Sequence, residues 1–258
     1  MQMQFEMRST FHYFMIVFPF ALAITLYIFT RYKAFAVKRH VAIAMGIILV
    51  GILATRQIYV FSTDGLGPEV FPFHISHFAN ILLLMVAINP ARRVISTIAW
   101  CLAVPAGLAA IIFADALETY SNVLSIRGLS YIFGHMLIVA TGLYLLLTEM
   151  IRIDRRALLK AYAIVVPLYV LSVIVNNWFT DIFNEQANYL FTYTPGSAAP
   201  LVYLHSLGSD ITVSGMTFNP VYILSLTIIG AVVMFLMYLL AKLWYVSQDS
   251  NLKRKWAN

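Results

Sequence analysis

Residues 41–61 read VAIAMGIILVGILATRQIYVF, an almost unbroken apolar run from Val41 to Phe61 directly behind the basic pair Lys38-Arg39. A helix rises about 1.5 Å per residue, so this run reaches about 30 Å, the thickness of a bilayer's hydrocarbon core. Six more stretches share its length and character: Tyr13–Thr30, Pro72–Ile88, Val94–Ala114, Gly128–Met150, Ala161–Phe179 and Pro220–Tyr245. The composition agrees. The chain is 61% hydrophobic and 11% charged, where a soluble domain carries about 25% charged residues. The expected fold is therefore all-α, a polytopic membrane protein of seven transmembrane helices forming one integral membrane domain over residues 1–258.

The connecting segments set a direction. Fourteen of the 17 lysines and arginines follow spans one, three and five or lie at or beyond the end of span seven: Arg31, Lys33, Lys38, Arg39; Arg92, Arg93; Arg152, Arg155, Arg156, Lys160; and Lys242, Lys253, Arg254, Lys255. The other side holds Arg8 and Arg127, with Arg56 inside span two, while Glu6, Asp64, Glu69, Asp115, Glu118, Asp181, Glu185 and Asp210 collect there. The positive-inside rule then gives N-terminus out and C-terminus in. It also explains the net charge of +6 without a nucleic-acid partner. The first span lacks a basic leader and a small-residue cleavage pattern, so it reads as a retained span. One cysteine, Cys101, excludes an internal disulfide and reads as packed core. The long connection 181–219 has no Lys or Arg but many aromatic residues, which suggests an extracytoplasmic loop or lid packed on the spans.

Polar residues recur at one depth. Spans three and five run inward, so His74, Ser76, His77, Tyr131 and His135 lie near the outer surface, with Asn80 one turn deeper. Spans two and six run outward and deliver Arg56, Gln57, Asn176 and Asn177 to the same layer, to which the loop adds Asn188 and Tyr189. Ionisable groups inside a membrane are costly and mark functional sites by default. On a helix, His74 and His77 share a face, and Pro72 suits a first helical position. A hydroxyl beside an imidazole is the minimal nucleophile–base pair of acyl transfer, and Gly134 leaves room for close approach to His135. Two other readings stay open. Ser, Asn and His also serve as interhelical hydrogen-bonding groups, and Arg56 has the reach to snorkel to the interface. His74 and His77, with His135 or Asp210, would also suit a metal, though no HExxH motif supports it.

At these residues the chain resembles a known group. Pro72-Phe73-His74-Ile75-Ser76, Gly134-His135 and Asn188-Tyr189 followed by Pro195 resemble motifs of the YwaF-like integral membrane proteins. In that group the first motif is proline-x-His-x-Cys. It is a bacterial group related to the mammalian transmembrane acyltransferase that makes ether phospholipids, and more distantly similar to the androgen-induced Thr/His lipid hydrolases. The resemblance spans Phe71 to Pro200 and implies a bacterial plasma-membrane acyltransferase or lipid hydrolase with a membrane phospholipid as substrate and no cofactor. One position departs: Ser76 stands where the group has its cysteine nucleophile.

The expected function is thus a lipid acyltransferase or ester hydrolase acting near the outer leaflet. Ser76 is the nucleophile, His135 its base, and His74 or His77 assists. Arg56, Gln57, Asn80, Tyr131, Asn176, Asn177, Asn188 and Tyr189 bind substrate. The alternatives are a non-catalytic lipid-binding or transport protein and, third, a His-metal membrane hydrolase.

Overall fold

The structure is a computed structural model that describes residues 4–118, 120 and 122–256. It contains seven helical stretches long and apolar enough to cross a membrane. In chain order these are α1 (Thr10–Thr30), α2 (Phe35–Asp64), α3 (Ile75–Ile88) and a composite fourth span. That span joins α4 (Arg93–Ile98), a π-helical turn (Ala99–Ala103) and α5 (Val104–Ile112). A short α6 (Asp115–Glu118) leads to α7 (Ile126–Leu147) and α8 (Arg155–Phe183). After α9 (Ala199–Ser206) and the hairpin β1 (Ile211–Val213)/β2 (Met216–Phe218), α10 (Pro220–Trp256) closes the chain. The all-α, seven-span architecture expected from hydropathy is present.

Helix α7 is the most enclosed span, packed by α1, α2, α3 and α5. Lipid tails are as apolar as leucine, so packing rather than water exclusion holds such helices together, and small residues let backbones approach. Gly46 of α2 is one such place, since a Cβ there would stand 2.9 Å from the Leu84 backbone of α3. Gly142 of α7 is another, where an added Cβ would collide with Val104 of α5 and stand 3.8 Å from Leu83 Cδ2 of α3.

The third span is not the continuous helix expected to begin at Pro72. Its α-helix starts only at Ile75, preceded by a 3₁₀ turn (Pro68–Val70) and extended backbone through His74, which is the N-cap with φ −70°, ψ 151°. Fourteen residues of helix reach about 21 Å, too short to cross, so irregular backbone completes the span. Such backbone survives at membrane depth only where protein satisfies its polar groups or a cavity receives them. Gln57 and Tyr189 do this here. Gln57 Nε2 donates to the carbonyls of Glu69 (3.0 Å) and Val70 (2.6 Å), and the Tyr189 hydroxyl donates to that of Pro68 (2.5 Å).

The connection 184–219 is folded. A 3₁₀ turn at Tyr189–Phe191, α9 and the small hairpin fill it. An aromatic cluster joins Tyr189 to Phe73 and Phe179 at ring distances of 5.3 and 5.7 Å.

At the opposite end of the bundle, Asp154 caps α8. Its carboxylate accepts from the Ala157 amide (2.8 Å) and from Arg93 Nη1 (2.6 Å). Those hydrogen bonds hold its pKa below the ordinary carboxylate value, the Ala157 amide contributing most. A lowered folded-state pKa means the stabilisation is full above about pH 4. It is lost as pH falls through the lowered value. We expect Asp154→Ala to lower the melting temperature at pH 7, by the usual capping cost of about 1 kcal/mol. The difference from wild type should shrink in acid; a melting-temperature series in detergent from neutral to acid pH checks both.

Candidate functional site

The irregular segment before α3 sends Glu69 to Arg56 of α2 and packs Phe71 and Phe73 on Phe179 of α8. The His74 and His77 rings stand perpendicular at 5.2 Å, and His74 also meets the Tyr189 ring at 5.3 Å. Because His74 is an N-cap rather than a helical residue, the two histidines converge through this bend, not through the expected shared helix face. His135 acts electrostatically on both, and the Arg56 guanidinium acts on all three imidazoles. Three histidines and one arginine thus form a single polar centre within the spans.

Arg56 is held in place. Its Nη1 donates to Gln57 Oε1 at 2.8 Å and its Nη2 pairs with the Glu69 carboxylate at 3.0 Å, while Tyr120 lies within hydrogen-bond reach. Its side chain is only 15% exposed, so it faces the interior and does not snorkel. Burial raises the Tyr120 phenol pKa above its ordinary value, and burial followed by the Glu185 and Glu69 charges does the same at Tyr189. Both phenols therefore stay protonated, and the Tyr189 hydroxyl spends its hydrogen on the Pro68 carbonyl.

His135 is oriented by its own helix. Its Nδ1 lies 2.7 Å from the Tyr131 carbonyl one turn back, and the Tyr131 ring packs on it at 4.3 Å. A carbonyl only accepts, so Nδ1 carries the hydrogen of the neutral imidazole. The lone pair is left on Nε2, which no hydrogen bond reaches among the described residues. Tyr131 is itself fixed by donating from its hydroxyl to the Ala110 carbonyl at 2.7 Å.

Register relates Ser76 to this imidazole. Spans three and five, separated by one crossing, run parallel. Leu83 of α3 sits beside Gly142 of α7. Ser76 and His135 each lie seven residues, about two helical turns, before that contact, at matching heights. Ser76 is half-buried in the first turn of α3 and makes no hydrogen bond among the described residues. Buried His77 Nδ1, from the next residue, and buried Asn80 Oδ1, one turn deeper, have no partner among the described residues. Two orphaned polar atoms so close together are unusual and mark a place where a polar group would be welcomed.

An apolar groove of about 350 Å³ adjoins the centre. Phe73, Ile75, Phe78 and Leu82 form one wall, Leu168 and Leu171 of α8 another, and Tyr189 closes the end next to His74. Phe78, Leu168 and Leu171 are also exposed on the outer surface of the bundle, so the groove opens sideways. The π-turn of the fourth span contributes Leu102 and Ala103 to it, and such turns often lie at functional sites.

A comparison with family models places this architecture. The one described as the TMEM164 family matches residues 7–238. The chain belongs to the TMEM164 family. The match takes in the whole polar centre, and with seven apolar helices it makes this TMEM164-family chain an integral membrane protein. No curated protein and no solved structure matched it.

Several residues expected to bind substrate have other duties in this TMEM164-family fold. Asn176, fully buried, donates to the Tyr189 carbonyl and Thr192 Oγ1, both at 3.0 Å, and accepts from the Tyr189 amide at 2.7 Å. Asn177 clamps Thr217 by its amide (2.8 Å) and carbonyl (3.0 Å). Asn188 folds the turn at Tyr193 and Thr194. Their polar atoms are taken up by the loop, which leaves them little for a ligand. Gly134 is not a tight passage either, because an added Cβ would meet only Ile52 Cγ2, at an ordinary 3.7 Å. No group of three His, Cys, Asp or Glu among the described residues is arranged to hold a metal ion, and Asp210 lies 3.2 Å from His205 instead. Sequence reasoning missed Glu69 and Tyr120 as partners of Arg56. The need of a span arginine for a counter-charge was the signal that pointed to Glu69.

Proposed function

We propose that the polar centre is the active site of a lipid acyltransferase or lipid ester hydrolase, with Ser76 as nucleophile and His135 as base. The register of Ser76 with the lone pair on His135 Nε2, beside a sideways-opening apolar groove, carries this reading. An acyl chain enters the groove from the bilayer, and its ester carbonyl arrives at the first turn of α3. Ser76 Oγ attacks that carbonyl while its proton passes to His135 Nε2. The tetrahedral intermediate collapses to an acyl-serine, and the departing lipid alkoxide takes the proton back. Water or a lysolipid hydroxyl then repeats the sequence in reverse. The amides of Ile75 and Ser76, at the start of a helix, favour the developing oxyanion. Arg56 receives the lipid phosphate by exchanging its Glu69 contact for it. The base-poor face, with the loop 181–219, is directed outward, as the charge asymmetry requires, and the resemblance to YwaF-like proteins supports a bacterial plasma membrane.

A second reading, a non-catalytic lipid-binding protein, draws on Ser76 making no hydrogen bond to an imidazole. Mass-spectrometric lipid turnover by purified protein in mixed-phospholipid liposomes separates the two. Loss of turnover in Ser76→Ala, with recovery in Ser76→Cys, supports the acyl-enzyme. Turnover equal to wild type in Ser76→Ala refutes the nucleophile, and a wild type without turnover returns the centre to lipid binding.

A further inference from the structure

The far end of the bundle holds a second concave site, unrelated to the histidine centre. Helical rise puts Lys38 about 27 Å from Arg56 along α2. The cavity there, about 360 Å³, lies where α1 ends, α2 begins and α7 ends, with Gln248 of α10 beside it. Three cations from three separate segments line it: Arg31, Lys38 and Arg152. Arg31 and Lys38 enter no ion pair among the described residues, and the Arg31 guanidinium stands over the Tyr32 ring, 4.6 Å from its centre. Arg152 faces Glu149 at a loose 3.5 Å. The pocket therefore carries a net positive charge.

Positive residues at this end serve topology, but topology needs only their presence, not their convergence. Here the backbone beneath them is fixed. The hydroxyl of fully buried Tyr144 lies 3.0 Å from Thr30 Oγ1, next to Arg31, and donates to the Lys38 carbonyl at 3.3 Å. Thr148 Oγ1, on the pocket wall, donates to the Tyr144 carbonyl at 2.6 Å. One tyrosine thus ties all three helix ends together. Tyr27, Phe35 and Leu147 form an apolar wall beside the polar Thr148, Glu149 and Gln248. A soluble anion would gain nothing from that wall, whereas a lipid headgroup above its own glycerol and chains would cover it.

We propose that this pocket binds the phosphate of an anionic membrane phospholipid, held by Arg31, Lys38 and Arg152. Basic pockets between transmembrane helices recognise such headgroups. The site does not depend on the acyl-enzyme reading and stands or falls separately.

The test uses the full chain in nanodiscs of zwitterionic lipid, with and without added phosphatidylglycerol, read by native mass spectrometry for retained lipid and by thermal shift. Wild type should retain phosphatidylglycerol and melt higher with it. A cation near a membrane surface contributes about 1 kcal/mol, so each neutralisation should weaken retention about fivefold. Arg31→Gln/Lys38→Gln/Arg152→Gln should lose the response. Glu149→Gln, which removes the opposing charge and no cation, should strengthen it, and this keeps the test decisive if the triple variant does not fold. Equal retention in wild type and triple variant, or no gain in Glu149→Gln, overturns the proposal. So does a thermal shift with inorganic phosphate and none with phosphatidylglycerol, which would assign the pocket to a soluble anion.

Discussion

Replacing His135 by alanine is expected to lower lipid turnover by about 10²–10⁴-fold, the usual contribution of a positioned general base. The melting temperature should change little, because among the described residues the one side-chain hydrogen bond lost is that to the Tyr131 carbonyl of its own helix. The reason lies in tautomer and place. The Tyr131 carbonyl holds the proton on Nδ1 and so leaves Nε2 to act as base. His135→Gln keeps a donor for that carbonyl but has no basic nitrogen, and should be as inactive as alanine. Turnover by mass spectrometry in liposomes, with melting temperature measured alongside, checks the pair. If His135→Gln retained wild-type turnover, the residue would be a structural donor and the acyl mechanism would lose its base.

Asn176→Leu is the second large effect, and it falls on stability. Leucine matches asparagine in size but removes three hydrogen bonds from a fully buried position. The Tyr189 amide is then left buried without its partner, while the Tyr189 carbonyl keeps only the Thr192 hydroxyl and amide. An unsatisfied buried polar group costs about 1–3 kcal/mol, so a destabilisation of about 1–3 kcal/mol is expected. The damage should reach the site as well, because Tyr189 packs on His74 and donates to the Pro68 carbonyl. Thermal melting, together with limited proteolysis, tests this: cleavage within residues 184–219 should accelerate in the variant. Unchanged melting and proteolysis would show that the loop is held by its aromatic cluster and not by this asparagine.

The same residue shows how far sequence reasoning reached. Depth in the membrane follows from position along a span, so His74, His77, His135 and Arg56 could be assigned to one layer before any coordinates. Asn176 and Asn177 belonged to that layer by the same logic. Whether an amide there faces a ligand or a loop is not a matter of depth. The loop 184–219 folds back over α8 and takes up both side chains, a contact 13 to 40 residues distant that local pattern does not encode. Gln57 is a similar case, a polar span residue that satisfies the broken backbone of its neighbour rather than a substrate.

What the sequence alone determined is the set of seven crossings and its charge asymmetry. Hydrocarbon imposes a cost on every polar side chain and demands about 20 apolar residues per crossing, and both constraints act residue by residue along the chain. Only the tertiary structure decided that the third span opens as irregular backbone and bends at His74, that Tyr131 fixes the His135 tautomer, and that Leu83 meets Gly142 and so sets Ser76 and His135 at matching heights. Each of these depends on which groups from distant segments satisfy one another. Apolar periodicity carries no information about such pairings, because partners are chosen by packing and not by depth.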